Sequence, residues 1–213
     1  MLENIPHWLG AALSGLRAGH DKLTLSRLDL TGAATLHLSS PAFAPSGRLP
    51  PRFTADGEGI SPPLVWGDLP PGTDSLALIV EDPDAPAPRP LVHAIVVDIA
   101  PALGSLAEGA IRPDGDGADG ADGADGKDVG TNSYFAQGWL PPDPPTGHGS
   151  HDYVFQLLAL SAGDSADPSP GRGDFLELVE GRILGAGVLI GTYSREEEAP
   201  VGPVGEGVAV GLT

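Results

Sequence analysis

Apolar residues in this chain fall into short runs separated by turn chemistry. Ser75–Val80 (SLALIV), Leu91–Ile99 (LVHAIVVDI) and Tyr153–Leu160 (YVFQLLAL) are continuous, rich in aliphatic and β-branched types, and of strand length. They predict buried strands. Leu23–Leu30 (LTLSRLDL) and Thr35–Ser39 (TLHLS) alternate apolar with polar residues, which predicts half-buried strands, and Leu64, Val65 and Trp66 start a further apolar patch. Helical spacing is confined to two places. Trp8, Leu9, Ala12, Leu13 and Leu16 predict an amphipathic helix over 5–17 that stops near Gly19. Phe175, Leu176, Leu178, Val179, Ile183 and Leu184 predict one over about 174–185, begun by Asp174 as its cap and followed by a strand over 188–193. Turn residues crowd 41–51, the 53–63 loop with its Asp56-Gly57 pair, and Pro70-Pro71-Gly72. Many short strands joined by such turns predict a mainly β fold, a sandwich or a barrel.

The same pattern divides the chain. An N-terminal extension covers 1–34, a main domain 35–195, and a charged, Gly/Pro-rich tail 196–213. Inside the main domain, 112–130 (RPDGDGADGADGADGKDVG) repeats Asp-Gly-Ala at period three. A calcium loop needs a ligand where Ala118 stands and a glycine where Asp119 stands, so the insert is expected to be a solvated loop that associates with calcium weakly at most.

Charge narrows the choice of partners. There are 29 acidic and 11 basic residues, a formal charge of −18, which repels nucleic acid phosphates and anionic headgroups. No nucleic acid partner is expected. The absence of cysteine excludes a disulfide framework and a thiolate nucleophile. Met1–Gly19 has neither the pattern of a secretory signal nor that of a spanning helix, so a cytoplasmic location without integral membrane association is expected. The 5–17 helix is expected to pack on its own domain or to form a homodimer contact.

Candidate chemistry concentrates where the strand 75–80 ends, at Glu81–His93 (EDPDAPAPRPLVH). Pro83, Pro86, Pro88 and Pro90 cannot continue a ladder, so they hold the carboxylates of Asp82 and Asp84 on a stiff turn ahead of His93. A second proline-stiffened turn, PPTGHGSH, delivers His151 into the strand that follows, with Tyr153 two residues on. If the two strands are neighbours, Asp82, His93 and His151 converge. On its own a histidine at a strand start is as a rule a hydrogen-bonded structural residue, and the pairing of the two turns is what makes His93 a candidate. Asp84 is expected to cap its turn, and His148, in a Gly-rich loop, to be solvated. A zinc site on His148-x-x-His151 lacks a third ligand, so no metal and no cofactor is expected.

Asp82-Pro83-Asp84-Ala85-Pro86 followed by His93, and Pro144-Pro145-x-Gly147 followed by His151-x-Tyr153, resemble the phosphatidylethanolamine-binding protein family, most of all its bacterial, Raf-kinase-inhibitor-like branch. Asp56-Gly57, Ser61-Pro62, Trp66, Pro71-Gly72-Thr73, Glu108-Gly109 and the closing helix fit the same order, so the resemblance spans Leu36 to Ser194. It implies an antiparallel β-sandwich with a few peripheral helices and a small surface pocket. The pocket would be formed by Asp82, Ala85, Pro86, His93, Pro144, Pro145, Gly147, His151 and Tyr153, with imidazole and phenol donors for a phosphorylated or anionic ligand. Three positions depart from the family pattern: Asp152 replaces an arginine between the histidine and the tyrosine, Ala94 a tryptophan, and Leu91 an aromatic residue. Strand alternation turns Asp152 away from His151 and Tyr153. The function expected is non-enzymatic binding of a phospholipid headgroup or nucleotide, with a regulatory role. The alternatives are an inhibitor of a kinase or protease acting through surface loops, and a hydrolase with His93 or His151 as general base; for the latter no serine or threonine nucleophile stands in a recognisable motif.

Overall fold

The computed structural model describes residues 11–113, 127–164 and 169–195. Most of the 112–130 insert, the whole 196–213 tail and the start of the 5–17 helix lie outside them; of that helix, residues 11–13 are helical. The described strands are β1 (Ala34–Thr35), β2 (Leu38–Ser39), β3 (Gly47–Arg48), β4 (Leu64–Trp66), β5 (Ser75–Asp82), β6 (Leu91–Ile99), β7 (Ser105–Leu106), β8 (Asp128–Val129), β9 (His151–Leu160) and β10 (Ile183–Tyr193). One helix, α1 (Arg172–Val179), precedes β10.

The three long apolar runs form the middle of the larger sheet, ordered β1-β10-β9-β5-β6-β8, with β3 also paired to β10. Its long strands are antiparallel, and only the two-residue β1 and β3 run parallel to β10. A smaller sheet, β2-β4-β7, covers one face. Between the sheets, Leu38, Leu64 and Trp66 meet Leu76, Leu78, Val80, Phe155 and Leu157. On the opposite face Ala77, Ile79, Ile95 and Leu158 pack under Phe175 and Val179 of α1 and against Leu25 and Leu28. Every residue of β5 is buried. Strands covered on both faces cannot alternate apolar with polar residues, which is why these three read as continuous runs. The chain is therefore the expected antiparallel sandwich with a few peripheral helices.

Three segments differ from their predicted form. Leu23–Leu30 is not a strand; it contains a short 3₁₀ turn at Leu25–Arg27 and follows another at His20–Lys22. Its amides find side chains instead of a ladder. Thr24 N–H donates to Glu81 Oε2 at 2.7 Å and Leu25 N–H to Gln156 Oε1 at 2.9 Å. Thr35–Ser39 splits into β1 and β2, which belong to different sheets. The helix predicted for 174–185 begins at Arg172 and ends at Val179, because Gly181 turns left-handed with φ of 72° and the chain enters β10 at Ile183. Asp174 lies inside the helix and accepts the N–H of Gly171 at 2.9 Å. The glycines of β10 serve close packing. A Cβ at Gly191 would stand 2.6 Å from Leu49 Cδ2, and one at Gly187 would stand 2.8 Å from the Leu36 carbonyl oxygen.

Candidate functional site

β5 and β9 are antiparallel neighbours, with Glu81 opposite Val154, so the end of β5 meets the start of β9 and both proline turns open at one edge of the sheet. Register on the other side of β5 contains a bulge. Val80 pairs with Ala94 and Glu81 with Val92, which leaves His93 as the extra residue. A bulge re-aims one side chain without breaking the strand. Ala94 thus joins the core between the sheets while His93 faces a cavity.

That cavity has a volume of about 230 Å³. Of the residues expected there, Asp82, Ala85, Pro86, His93, Pro144, Pro145 and His151 line it, as do Leu91 and Leu140. Gly147 does not line it; with φ of 80° it shapes the turn behind. Tyr153 stands behind His93, its ring edge-on with centroids 5.0 Å apart. Burial first, then the charges of Asp82 and Asp143, hold its phenol well above the ordinary range. Tyr153, like Gly147, is among the residues expected in the pocket and does not line the cavity.

His93 Nδ1 lies 2.6 Å from the Leu140 carbonyl, and a carbonyl only accepts, so Nδ1 carries the proton. Burial pulls the His93 pKa below 6.5 against the opposing charge of Asp82, so the ring is neutral and Nε2 presents a lone pair. That nitrogen is buried without a partner, and so is the Tyr153 hydroxyl. An unpartnered buried polar atom in a cavity wall marks a place for a ligand atom.

His151 is arranged differently. Its Nδ1 lies 2.8 Å from Asp82 Oδ2 and its Nε2 lies 2.7 Å from His148 Nδ1. His148 Nε2 lies 2.9 Å from the Leu13 carbonyl. His148 is 1% exposed, so the expectation that it is solvated is wrong: the PPTGHGSH turn folds inward, and residues 11–19 close over it. Three hydrogen bonds need three protons, whereas two neutral imidazoles and a carboxylate hold two. The trio His148, His151 and Asp82 therefore carries one further proton and is neutral as a unit. Burial, then the charge of His151, lowers the His148 pKa. Both nitrogens of His151 are engaged, so the ligand-facing nitrogen of this site belongs to His93.

Around this centre the supports are ionic. Asp82 Oδ1 accepts the N–H of Asp84 at 2.8 Å, so the turn is capped by Asp82 and not, as expected, by Asp84, whose Oδ2 instead accepts the N–H of Asp152 on β9 at 2.7 Å. Arg195 holds Asp56 with Nε and Nη2, contacts Asp143 at 2.5 Å and donates to the Pro144 carbonyl at 3.0 Å, bracing the far wall. The Arg195 guanidinium keeps the Asp56 carboxyl below its ordinary range against the effect of burial. Asp152 points to the opposite face, where its carboxylate lies 3.7 Å from His20 Nε2. His20, Asp84 and Asp152 form a metal-ligand-type cluster among the described residues, but Arg17 Nη1 already sits 2.5 Å from Asp84. Sequence reasoning missed His148, Arg195 and Arg17; the HGSH spacing that brings His148 beside His151 was the available sign.

Comparison with known proteins agrees with the fold. Residues 39–194 match the family model for phosphatidylethanolamine-binding protein. A UPF0098 protein of Methanothermobacter thermautotrophicus is 39% identical over 160 residues, 75% of this chain and 99% of the relative. Another from Aquifex aeolicus is 34% identical over 172 residues, 80% of this chain and 95% of the relative. Among solved structures, CT736 of Chlamydia trachomatis, described as a phosphatidylethanolamine-binding protein homolog, superposes with a TM-score of 0.66 at 32% identity, covering 77% of this chain and all of that one. YbcL of E. coli gives 0.68 at 25% identity, covering 76% and 100%. With the match running across both proline turns and the sandwich that carries them, the chain belongs to the phosphatidylethanolamine-binding protein family.

Proposed function

We propose that the protein is a non-enzymatic binding protein whose cavity takes a small phosphorylated headgroup in its singly protonated form. The supporting observation is the buried, partnerless Nε2 of His93 in the cavity wall. A neutral imidazole offers a lone pair there, so a phosphate monoanion can donate its P–OH to it, while a dianion can bind only if His93 takes up a proton first. Either route leaves one more proton in the complex than in the separated components at alkaline pH. The neutral His148–His151–Asp82 unit keeps Asp82 from repelling the anion. Catalysis is disfavoured by the same arrangement: His151 has no free nitrogen, and no hydroxyl meets His93 Nε2. Among the described residues no helix is long and apolar enough to cross a membrane.

The reading is tested by titrating the full chain with phosphoethanolamine and following imidazole resonances between about pH 6 and 8.5. The His93 ring responds at saturation, and above about pH 7, where phosphomonoesters are mostly dianionic, affinity falls about tenfold per pH unit. An unresponsive His93, or an affinity that rises with pH, overturns it. The reading as a kinase or protease inhibitor draws on one observation, the 92% exposed ring of Phe135 beside cavity-lining Tyr134. A Phe135→Ser variant that loses capture of such a partner while still binding phosphoethanolamine would support it.

A further inference from the structure

The family match begins at residue 39, yet residues 11–30 are wired into the cavity wall. Ala18 N–H donates to the Ala85 carbonyl at 3.0 Å and Gly19 N–H to that of Pro83 at 2.8 Å. Arg17 pairs with Asp84 and donates to the Ser150 carbonyl at 3.1 Å. The Leu13 carbonyl accepts from His148, which is bonded in turn to His151 and through it to Asp82. One segment therefore grips both proline turns that build the site. Its contacts reach Asp82, Ala85 and His151, all of which line the cavity, although the segment itself does not.

We propose that residues 11–19 act as a strap that preorganises the cavity, and that His148 is the positioning residue through which strap docking and ligand occupancy are coupled. The inference rests on the binding function proposed above. With Leu13 in place, His148 must carry its proton on Nε2 and offer Nδ1 to His151. His151 is then held between two partners and turned against Asp82. When the strap lifts, His148 loses the acceptor that fixes its tautomer and ring orientation, and the three-proton arrangement of the trio is no longer enforced. A ligand that contacts the cavity wall favours the ordered arrangement, so it favours the docked strap. Linkage makes the effect reciprocal: ligand strengthens strap docking by the same factor by which the docked strap strengthens ligand binding, so a change that undocks the strap lowers affinity by up to that factor.

The experiment is amide hydrogen exchange of Ala18 and Gly19 in the full chain, with and without saturating phosphoethanolamine. Ligand slows their exchange by about fivefold or more, the lower end of ordinary coupling between sites. Arg17→Gln lowers phosphoethanolamine affinity by a similar factor although Arg17 is outside the cavity. His148→Ala abolishes the protection of Ala18 and Gly19 while the His93 resonance still responds. His148→Gln, whose amide can donate to Leu13 and accept from His151, restores part of it. A His93 response with unchanged exchange at Ala18 and Gly19 overturns the strap and leaves the binding function standing. No His93 response overturns both. If His148→Ala does not fold, the exposed Arg17→Gln decides the matter: unchanged affinity overturns the proposal.

Discussion

Glu81 offers the sharpest test of how the scaffold holds the site. It is fully buried on the face of β5 opposite the cavity, and it accepts from Arg172 Nε at 2.6 Å, Thr24 N–H at 2.7 Å and Gln156 Nε2 at 2.8 Å. Glu81→Ala removes the acceptor from all three at once. Breaking a buried ion pair from one side costs about 3–5 kcal/mol, because the remaining charge stays buried without its partner. Here Arg172 keeps a bond to the Lys22 carbonyl and its side chain is 15% exposed, so part of the charge can relax toward water. The lower end, about 3 kcal/mol, is therefore expected, equivalent to a fall in Tm of about 6–12 °C for a domain of this size. Glu81→Gln keeps the shape but turns an amide N–H₂ either toward Arg172 or toward Thr24 N–H and Gln156 Nε2, and is expected to cost about 2 kcal/mol. Urea unfolding followed by tryptophan fluorescence measures both, with the cavity-side readout of phosphoethanolamine affinity alongside. A cost below about 1 kcal/mol for Glu81→Ala would refute the claim that this carboxylate anchors both α1 and the N-terminal segment.

Two further outcomes follow from the site. Arg195→Met strips the guanidinium from Asp56 and Asp143 and makes the cavity wall that Asp143 lines more negative, so phosphoethanolamine affinity should fall about tenfold, measured by calorimetry; undiminished affinity would mean that Arg195 does not govern the field in the cavity. His93 has a folded-state pKa lowered below 6.5, chiefly by burial, so the unfolded chain binds its proton first as pH falls. Its contribution is complete above 6.5 and is lost as pH drops from there toward the folded value, at up to about 1.4 kcal/mol per pH unit; His93→Gln should show a flatter dependence in urea unfolding at pH 7.5 and 5, and an unchanged difference between the two pH values would count against a neutral buried ring.

What the sequence disclosed depended on whether a feature was local. The central strands were legible because β5, β6 and β9 are covered on both faces and so spell out apolar runs in consecutive residues. The cavity turns were legible because proline fixes backbone shape locally. By contrast, the apparent strand at Leu23–Leu30 is held by acceptors 57 and 131 residues further along the chain, which no short window contains. Its alternating leucines serve equally well to pack 3₁₀ turns against the sheet. His148 misled for the same reason: glycines on either side suggest a solvated loop, while the residue that covers it, Leu13, is 135 positions away. The bulge at His93 is invisible to period counting because it consists of one residue out of step, and it is the feature that lets His93 face the cavity while Ala94 faces the core.

The departure at Asp152 shows how such distant contacts change the meaning of a substitution. An acid in place of the arginine that the family pattern carries there suggests, read in the strand alone, a loss of positive charge beside the ligand. In the fold Asp152 faces away from the cavity, where burial and then the neighbouring charge of Asp84 raise its carboxyl above the ordinary range. Two acids so placed need a cation, and Arg17, from outside the family match, lies 2.5 Å from Asp84, with the His20 ring beside it at 3.7 Å from Asp152 and 3.9 Å from Asp84. Positive charge on this face of the sandwich is thus supplied by the N-terminal segment, and the acids at 84 and 152 are what draw that segment down onto the turn. An arginine restored at position 152 would stand beside Arg17 and repel it. The same substitution that looks like a defect in the pocket is, through its charge, part of the docking surface for the strap.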